Sequence, residues 1–269
     1  MELVNVKTAY IGQPEIIMDK CEMEPLLGSA YPAEVAKKSD HHFRNIIDDI
    51  CSLSWRNIDR AELHNVMQVY YYFSIQFRQN LEIACKLFPD DQKLYTLYKG
   101  ECHTDNLSPC PGVSGISEKL NHDEFIRRAL LLQPSQRSRE LDELGSLYLY
   151  KVNNVDDLSR AKSIASYEDD GLSKIFHSIL SALDWRGKGL QAFRYFLEKH
   201  IEFDEEGEES HGSLSRHLHA DDSIVPLWGA FHELLVAAAP RLLPNQRTPA
   251  SAEARLANWF PSYSARSDR

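Results

Sequence analysis

In the segment LQAFRYFLEKHIEFD, Phe193, Phe196, Leu197, His200, Ile201 and Asp204 recur at steps of three and four residues, the spacing of a helix face turned to a core. His200 and Asp204 are then neighbours on the buried side. A buried carboxylate is costly unless paired or coordinated, so Asp204 needs either a hydrogen-bonded partner such as His200 or a metal ion. Both readings stand. Over 155–183, Ala161, Ile164, Glu168, Gly171, Leu172, Ile175 and Ile179 line one side and set Glu168 within an apolar stripe. Gly171 removes a side chain where a ligand could need room. Asp169 and Asp170 leave open a second reading, an exposed acidic turn. Glu101 follows Leu94, Leu97 and Tyr98, and His122 precedes Phe125, Ile126, Leu130 and Leu131; a surface or capping role is open for each. Together these residues offer three carboxylates and two imidazoles on four helical segments, the oxygen and nitrogen mixture expected of non-haem iron or manganese. Helical bundles assemble such sites from facing side chains, whereas a haem site would leave the acids unexplained.

The elements that must position these groups are helical almost throughout. Periodicity predicts helices over 41–54, 60–88, 92–104, 123–132, 138–150, 155–183, 190–206 and 224–238, with little room for sheet. Asp59 is an N-cap with Glu62 three residues on, the spacing of a capping box, and Pro89 ends that helix. Asn121 starts the helix of His122, and Gly187 with Gly189 breaks the chain before the helix of His200. The stretch SPCPGVSGIS is a Pro- and Gly-rich loop. The organisation expected is an N-terminal arm at 1–37, a helical domain at 38–242, and a C-terminal linker with a short helix at 243–269.

With 269 residues, 43% hydrophobic and 26% charged, the chain can bury a substantial core. Its formal charge of -10 argues against nucleic acid and anionic membrane as partners. No apolar run approaches the roughly 18 to 20 residues of a membrane span, and the first residues lack the pattern of a signal peptide, so the expected location is cytoplasmic. The five cysteines are an odd number without a Cys-x2-Cys pair, which suits neither a disulfide framework nor a zinc knuckle.

The residues FRYFLEKHIEFD followed by His211-Gly212 resemble the last core helix of haem-oxygenase-like di-iron oxidases, particularly a bacterial branch whose motif is His-Ile-Glu, an apolar residue, Asp, then His-Gly. GEC with Glu101 and NHDEF with His122 resemble that family's first Glu and His, and Tyr167-Glu168 its middle Glu. The resemblance spans about residues 59–219. It implies an all-α, haem-oxygenase-like helical bundle and an oxidoreductase that holds two Fe(II) ions, with Mn as the alternative metal. The implied reaction consumes O2 and acts on a small amino-acid-like or amine substrate. N-oxygenation leads; the alternatives are oxidative desaturation or carbon-carbon cleavage of an amino or fatty acid. An external electron donor and a homodimer are compatible with it.

Residue by residue, the resemblance implies Glu101, His122, Glu168, His200, Asp204 and His211 as metal ligands. His211 departs from the family spacing, with six residues between it and Asp204. In an unbroken helix it would lie roughly 16 Å along the axis from His200, too far for a site whose metals sit about 4 Å apart. The helix must break near Gly207 for His211 to join; Glu208 is the competing ligand. Tyr70, Tyr71, Phe73 and Phe77 could wall a substrate cavity, and Arg78 or Arg194 could receive a substrate carboxylate. Two other classes remain open: a thiaminase-like hydrolase with a cysteine nucleophile, and a noncatalytic helical interaction protein with its acids on the surface.

Overall fold

The computed structural model describes residues 41–205, 211–243, 254 and 256. The expected arm at 1–37 and most of the expected C-terminal segment lie outside the described residues, although Leu256 is helical and buried. The all-α expectation is met: among the described residues there are ten α-helices and no strand. They are α1 (His42–Ser52), α2 (Arg60–Leu87), α3 (Gln92–Cys102), α4 (His122–Leu131), α5 (Arg139–Val152), α6 (Asp157–Ser166), α7 (Leu172–Leu180), α8 (Lys188–Glu205), α9 (His211–Ser215) and α10 (Val225–Ala238). None is long and apolar enough to cross a membrane.

The central element is α2, whose 28 residues span about 42 Å and pack against α3, α4, α5, α6, α8 and α10. Its start is fixed by the expected capping box: Asp59 Oδ1 accepts from the Glu62 amide at 2.9 Å, and Glu62 Oε2 accepts from the Asp59 amide at 3.3 Å. This satisfies two of the amides that a helix N-terminus leaves orphaned. A helix surrounded on most sides must be apolar on most sides, and α2 buries Leu63, Val66, Met67, Val69, Tyr70, Phe73, Phe77 and Leu81. It also buries His64, Gln68, Gln76 and Asn80.

His64 is fully buried and neither ring nitrogen has a hydrogen-bond partner. Burial holds its pKa below the ordinary imidazole value, because charging the ring there would forfeit hydration. The unfolded chain therefore takes up a proton that the folded chain resists. This contribution to stability is complete above the unfolded pKa of about 6.5 and is lost as pH falls from there through the folded value. His64→Leu is expected to flatten the acid limb of a stability-against-pH curve and to stabilise the neutral protein by about 1–3 kcal/mol, the cost of a buried polar group without a partner. Parallel curves for the two proteins, from denaturant melts at several pH values, would contradict this.

Two features place distant residues together. Between α3 and α4 the Pro- and Gly-rich loop is closed at its neck by a bridge of Thr104 with Leu120, the Leu120 amide donating to the Thr104 carbonyl at 3.0 Å. The last turn of α3, with Glu101, thereby meets the first turn of α4, with His122. Second, the single helix expected over 155–183 is α6, a π-helical turn (Tyr167–Gly171) and α7 in succession. A Cβ at position 171 would sit 2.1 Å from the Ser166 carbonyl oxygen and 3.2 Å from the Trp228 ring. The space left by Gly171 is therefore taken by backbone and Trp228, which corrects the expectation that it makes room for a ligand.

Candidate metal centre

Three elements bring three donors together. Glu101 comes from α3, His122 is the first residue of α4, and His200 lies on α8. Glu101 is 4% exposed and His122 7%. Glu101 Oε2 is 2.6 Å from His122 Nδ1, and His122 Nδ1 is 3.1 Å from His200 Nε2. One ligand atom from each of the three lies within 4.8 Å of the others, slightly more than twice a metal-ligand bond of about 2.0–2.2 Å.

The hydrogen bonds around the trio decide what it presents. His200 Nδ1 lies 2.7 Å from the Phe196 carbonyl oxygen one turn back on α8. A carbonyl can only accept, so Nδ1 carries the proton and neutral His200 offers the Nε2 lone pair to the cluster. The other nitrogen of His122, Nε2, is buried without a hydrogen-bond partner, so that ring makes its polar contacts through Nδ1. A carboxylate oxygen and two ring nitrogens thus converge on one small volume. Either a proton at His122 Nδ1 or a cation between the three satisfies that arrangement. A carboxylate with two imidazoles fits the ligand chemistry of divalent iron, manganese or zinc, and the group could hold a metal ion.

The surroundings are apolar and aromatic. The His200 ring centroid is 4.0 Å from Phe196, 4.4 Å from His122 and 5.8 Å from Phe176. Tyr70, Ser74, Phe77, Tyr167, Glu168 and Leu172 complete the lining of a cavity that also contains the trio. Its free volume is about 20 Å³, enough for an ion or one or two waters, but not for an organic molecule.

Glu168, second residue of the π-turn, is half-buried and lines the same cavity beside the trio. Asp204 and His211 have described backbone only, so their side chains, and Glu208 altogether, lie outside the described residues. The backbone nevertheless places the start of α9 close by. The described part of α8 runs to Glu205 and that of α9 covers His211–Ser215, which packs on both the π-turn and α3; the break expected near Gly207 lies outside the described residues. A Cβ on Gly212 would come within 3.0 Å of the Glu168 carbonyl oxygen, so glycine permits that approach. Arg216 pairs with Asp169 of the π-turn at 2.8 Å, and His217 Nε2 meets Asp91 Oδ2, at the start of α3, at 2.5 Å.

Among the expected substrate residues, Tyr70 and Phe77 line the cavity. Phe73 is not part of that lining; it packs 4.2 Å from Phe231 and 5.2 Å from Tyr167, ring to ring. Tyr71 stacks edge-on against Tyr72 at 5.2 Å. Arg78 is engaged by Glu82 at 2.7 Å and Asp123 at 3.2 Å, and so ties α2 to the residue after His122. Arg194 is half exposed, paired with Glu198 at 2.7 Å on the outer face of α8. Neither arginine lines the cavity. Spacing alone overlooked Ser74, Tyr167, Phe176 and Phe196 as its wall; Phe196, one turn before His200, was the legible one.

All four described cysteines, Cys51, Cys85, Cys102 and Cys110, are free thiols. Burial pushes each of them up from the ordinary thiol range, and for Cys102 the neighbouring Glu101 adds to the effect. No family model, curated protein or solved structure matches the chain.

Proposed function

We propose that the protein is a metal-dependent oxidoreductase of the haem-oxygenase-like di-iron kind, using Fe(II) and O2 on a small amine or amino-acid-like substrate, with N-oxygenation as the leading reaction. The observation that carries this reading is the convergence of one ligand atom each from Glu101, His122 and His200 within 4.8 Å, with Glu101 Oε2 at 2.6 Å and His200 Nε2 at 3.1 Å from His122 Nδ1. Glu101, His122 and His200 would hold one ion, with Glu168 on the shared wall towards a second; Asp204 and either His211 or Glu208 would complete the set. Bound iron supplies the capacity to reduce O2 and oxidise the substrate. The chain's own part is positional. The Phe196 carbonyl fixes the His200 tautomer, as outer-shell acceptors do for metal-bound imidazoles. Phe176, Phe196 and Phe77 exclude bulk water from the site. With so little free volume, a substrate enters only as these rings move apart.

The two other classes receive less support. A cysteine hydrolase needs an accessible thiolate, and the described thiols are all shifted the opposite way. A noncatalytic interaction protein with its acids on the surface does not call for Glu101 at 4% exposure against an imidazole. The test is O2 uptake by protein loaded anaerobically with Fe(II). Uptake faster than that of the same Fe(II) free in buffer, and absent from the zinc-loaded protein, is expected. Uptake no faster than free Fe(II) would contradict the oxidase reading.

A further inference from the structure

The side of the cavity formed by the π-turn is tethered to a buried polar chain that touches no donor. Gln76 and Asn80, four residues apart on the core face of α2, are both fully buried. Gln76 Nε2 donates to the Tyr167 hydroxyl at 2.8 Å, and Gln76 Oε1 accepts from the Tyr148 hydroxyl of α5. A tyrosine O–H can donate only to the amide oxygen, so these contacts fix which way the amide points. Tyr167 has Ser163 as a further side-chain partner. Asn80 Nδ2 donates to Ser163 Oγ at 3.0 Å, and Arg160 Nε donates to Asn80 Oδ1 at 2.8 Å. Trp228 Nε1 donates to Ser166 Oγ at 3.0 Å, just before the turn.

Tyr167 opens the turn, lines the cavity and directly precedes Glu168. A π-turn carries one residue more than the regular helix between the same ends, so everything after it is rotated by about 100° relative to an α-helical path. Without a fixed hydroxyl at Tyr167 the chain is free to relax to the regular pitch. An amide held between two buried tyrosine hydroxyls rewards one phase of the turn, since any other leaves it without partners. We infer that Gln76, backed by Tyr148, is a positioning residue for the metal centre, holding Tyr167 and through it the turn that presents Glu168. The inference rests on the proposed metal reading, but its effect on the turn is measurable in metal-free protein.

The test compares Gln76→Met and Tyr148→Phe with Gln68→Met. Gln68 is also a buried amide of α2, bonded to Ser138 and Asp142 and absent from the cavity lining. Three readouts are taken: amide hydrogen exchange over 167–171 without metal, Co(II) affinity, and the Co(II) ligand-field spectrum. Gln76→Met and Tyr148→Phe are expected to speed exchange in the turn, weaken Co(II) about 10–100-fold, as outer-shell changes do, and alter the spectrum. Gln68→Met is expected to lower stability with affinity and spectrum as in wild type. Unchanged turn exchange and affinity in folded Gln76→Met would overturn the inference, as would equal weakening by Gln68→Met. If Gln76→Met does not fold, Tyr148→Phe, which removes a single oxygen, carries the same expectations. If wild type binds no Co(II) while turn exchange still responds to Gln76, the metal reading fails and the positioning of the turn stands.

Discussion

His200→Ala is expected to reduce specific Fe(II) affinity at least about 100-fold while leaving the protein folded. The substitution removes one of three converging donors, a larger loss than the outer-shell changes that typically cost about 10–100-fold. It is a cleaner choice than His122→Ala, which strips the buried Glu101 carboxylate of an imidazole at 2.6 Å; breaking such a pair commonly costs about 3–5 kcal/mol by itself. Arg194→Ala is the matched control on the same helix, because Arg194 is paired outward with Glu198. Metal also stabilises the fold it binds, by about 2.7 kcal/mol at a hundred times the dissociation constant. The iron-induced rise in Tm should therefore disappear in His200→Ala and persist in Arg194→Ala. A retained rise in His200→Ala would remove His200 from the site.

Gly171→Val is expected to destabilise the protein by about 1–3 kcal/mol or more, the cost of overpacking a well-filled interior, and to weaken metal binding with it. A side chain at 171 cannot share space with the Ser166 carbonyl 2.1 Å from its Cβ, nor easily with Trp228 at 3.2 Å. The π-turn must open, and Glu168 moves with it. Gly115→Ala is the control, since its Cβ would meet only Glu118 Oε2 at 3.6 Å, an ordinary contact. Denaturant melts of the two variants, with Fe(II) titration of each, check both parts. A Gly171→Val protein as stable as wild type would show that the turn is not held as described.

Much of this fold was legible because local signals agreed. The Asp59 and Glu62 spacing gave the start of α2, and the apolar repeat of α8 placed Phe196, Leu197 and His200 on its inner side. What escaped depends on geometry that periodicity does not encode. A π-turn adds one residue and shifts the helix face after it, and an apolar stripe drawn through Glu168 at regular α-helical spacing does not mark that shift. Asn121 occupies the N-cap of α4 as expected, yet makes no side-chain cap bond. Among the described residues α9 covers five, too few for a helical period to register. Glu101 and His122 meet because the Thr104 and Leu120 backbones pair across a long loop, a contact no local pattern announces. Gln76 had a readable signal: a polar residue where the core-facing repeat of α2 calls for an apolar one.

In the proposed metal centre a cation replaces the proton among Glu101, His122 and His200. The most direct measurement is anomalous diffraction at the iron edge from crystals grown anaerobically in excess Fe(II). A peak bonded to Glu101, His122 Nδ1 and His200 Nε2 at about 2.0–2.3 Å, within the usual range for such ligands, is expected. A cavity without anomalous density, with Glu101 Oε2 still in direct contact with His122 Nδ1, would contradict it.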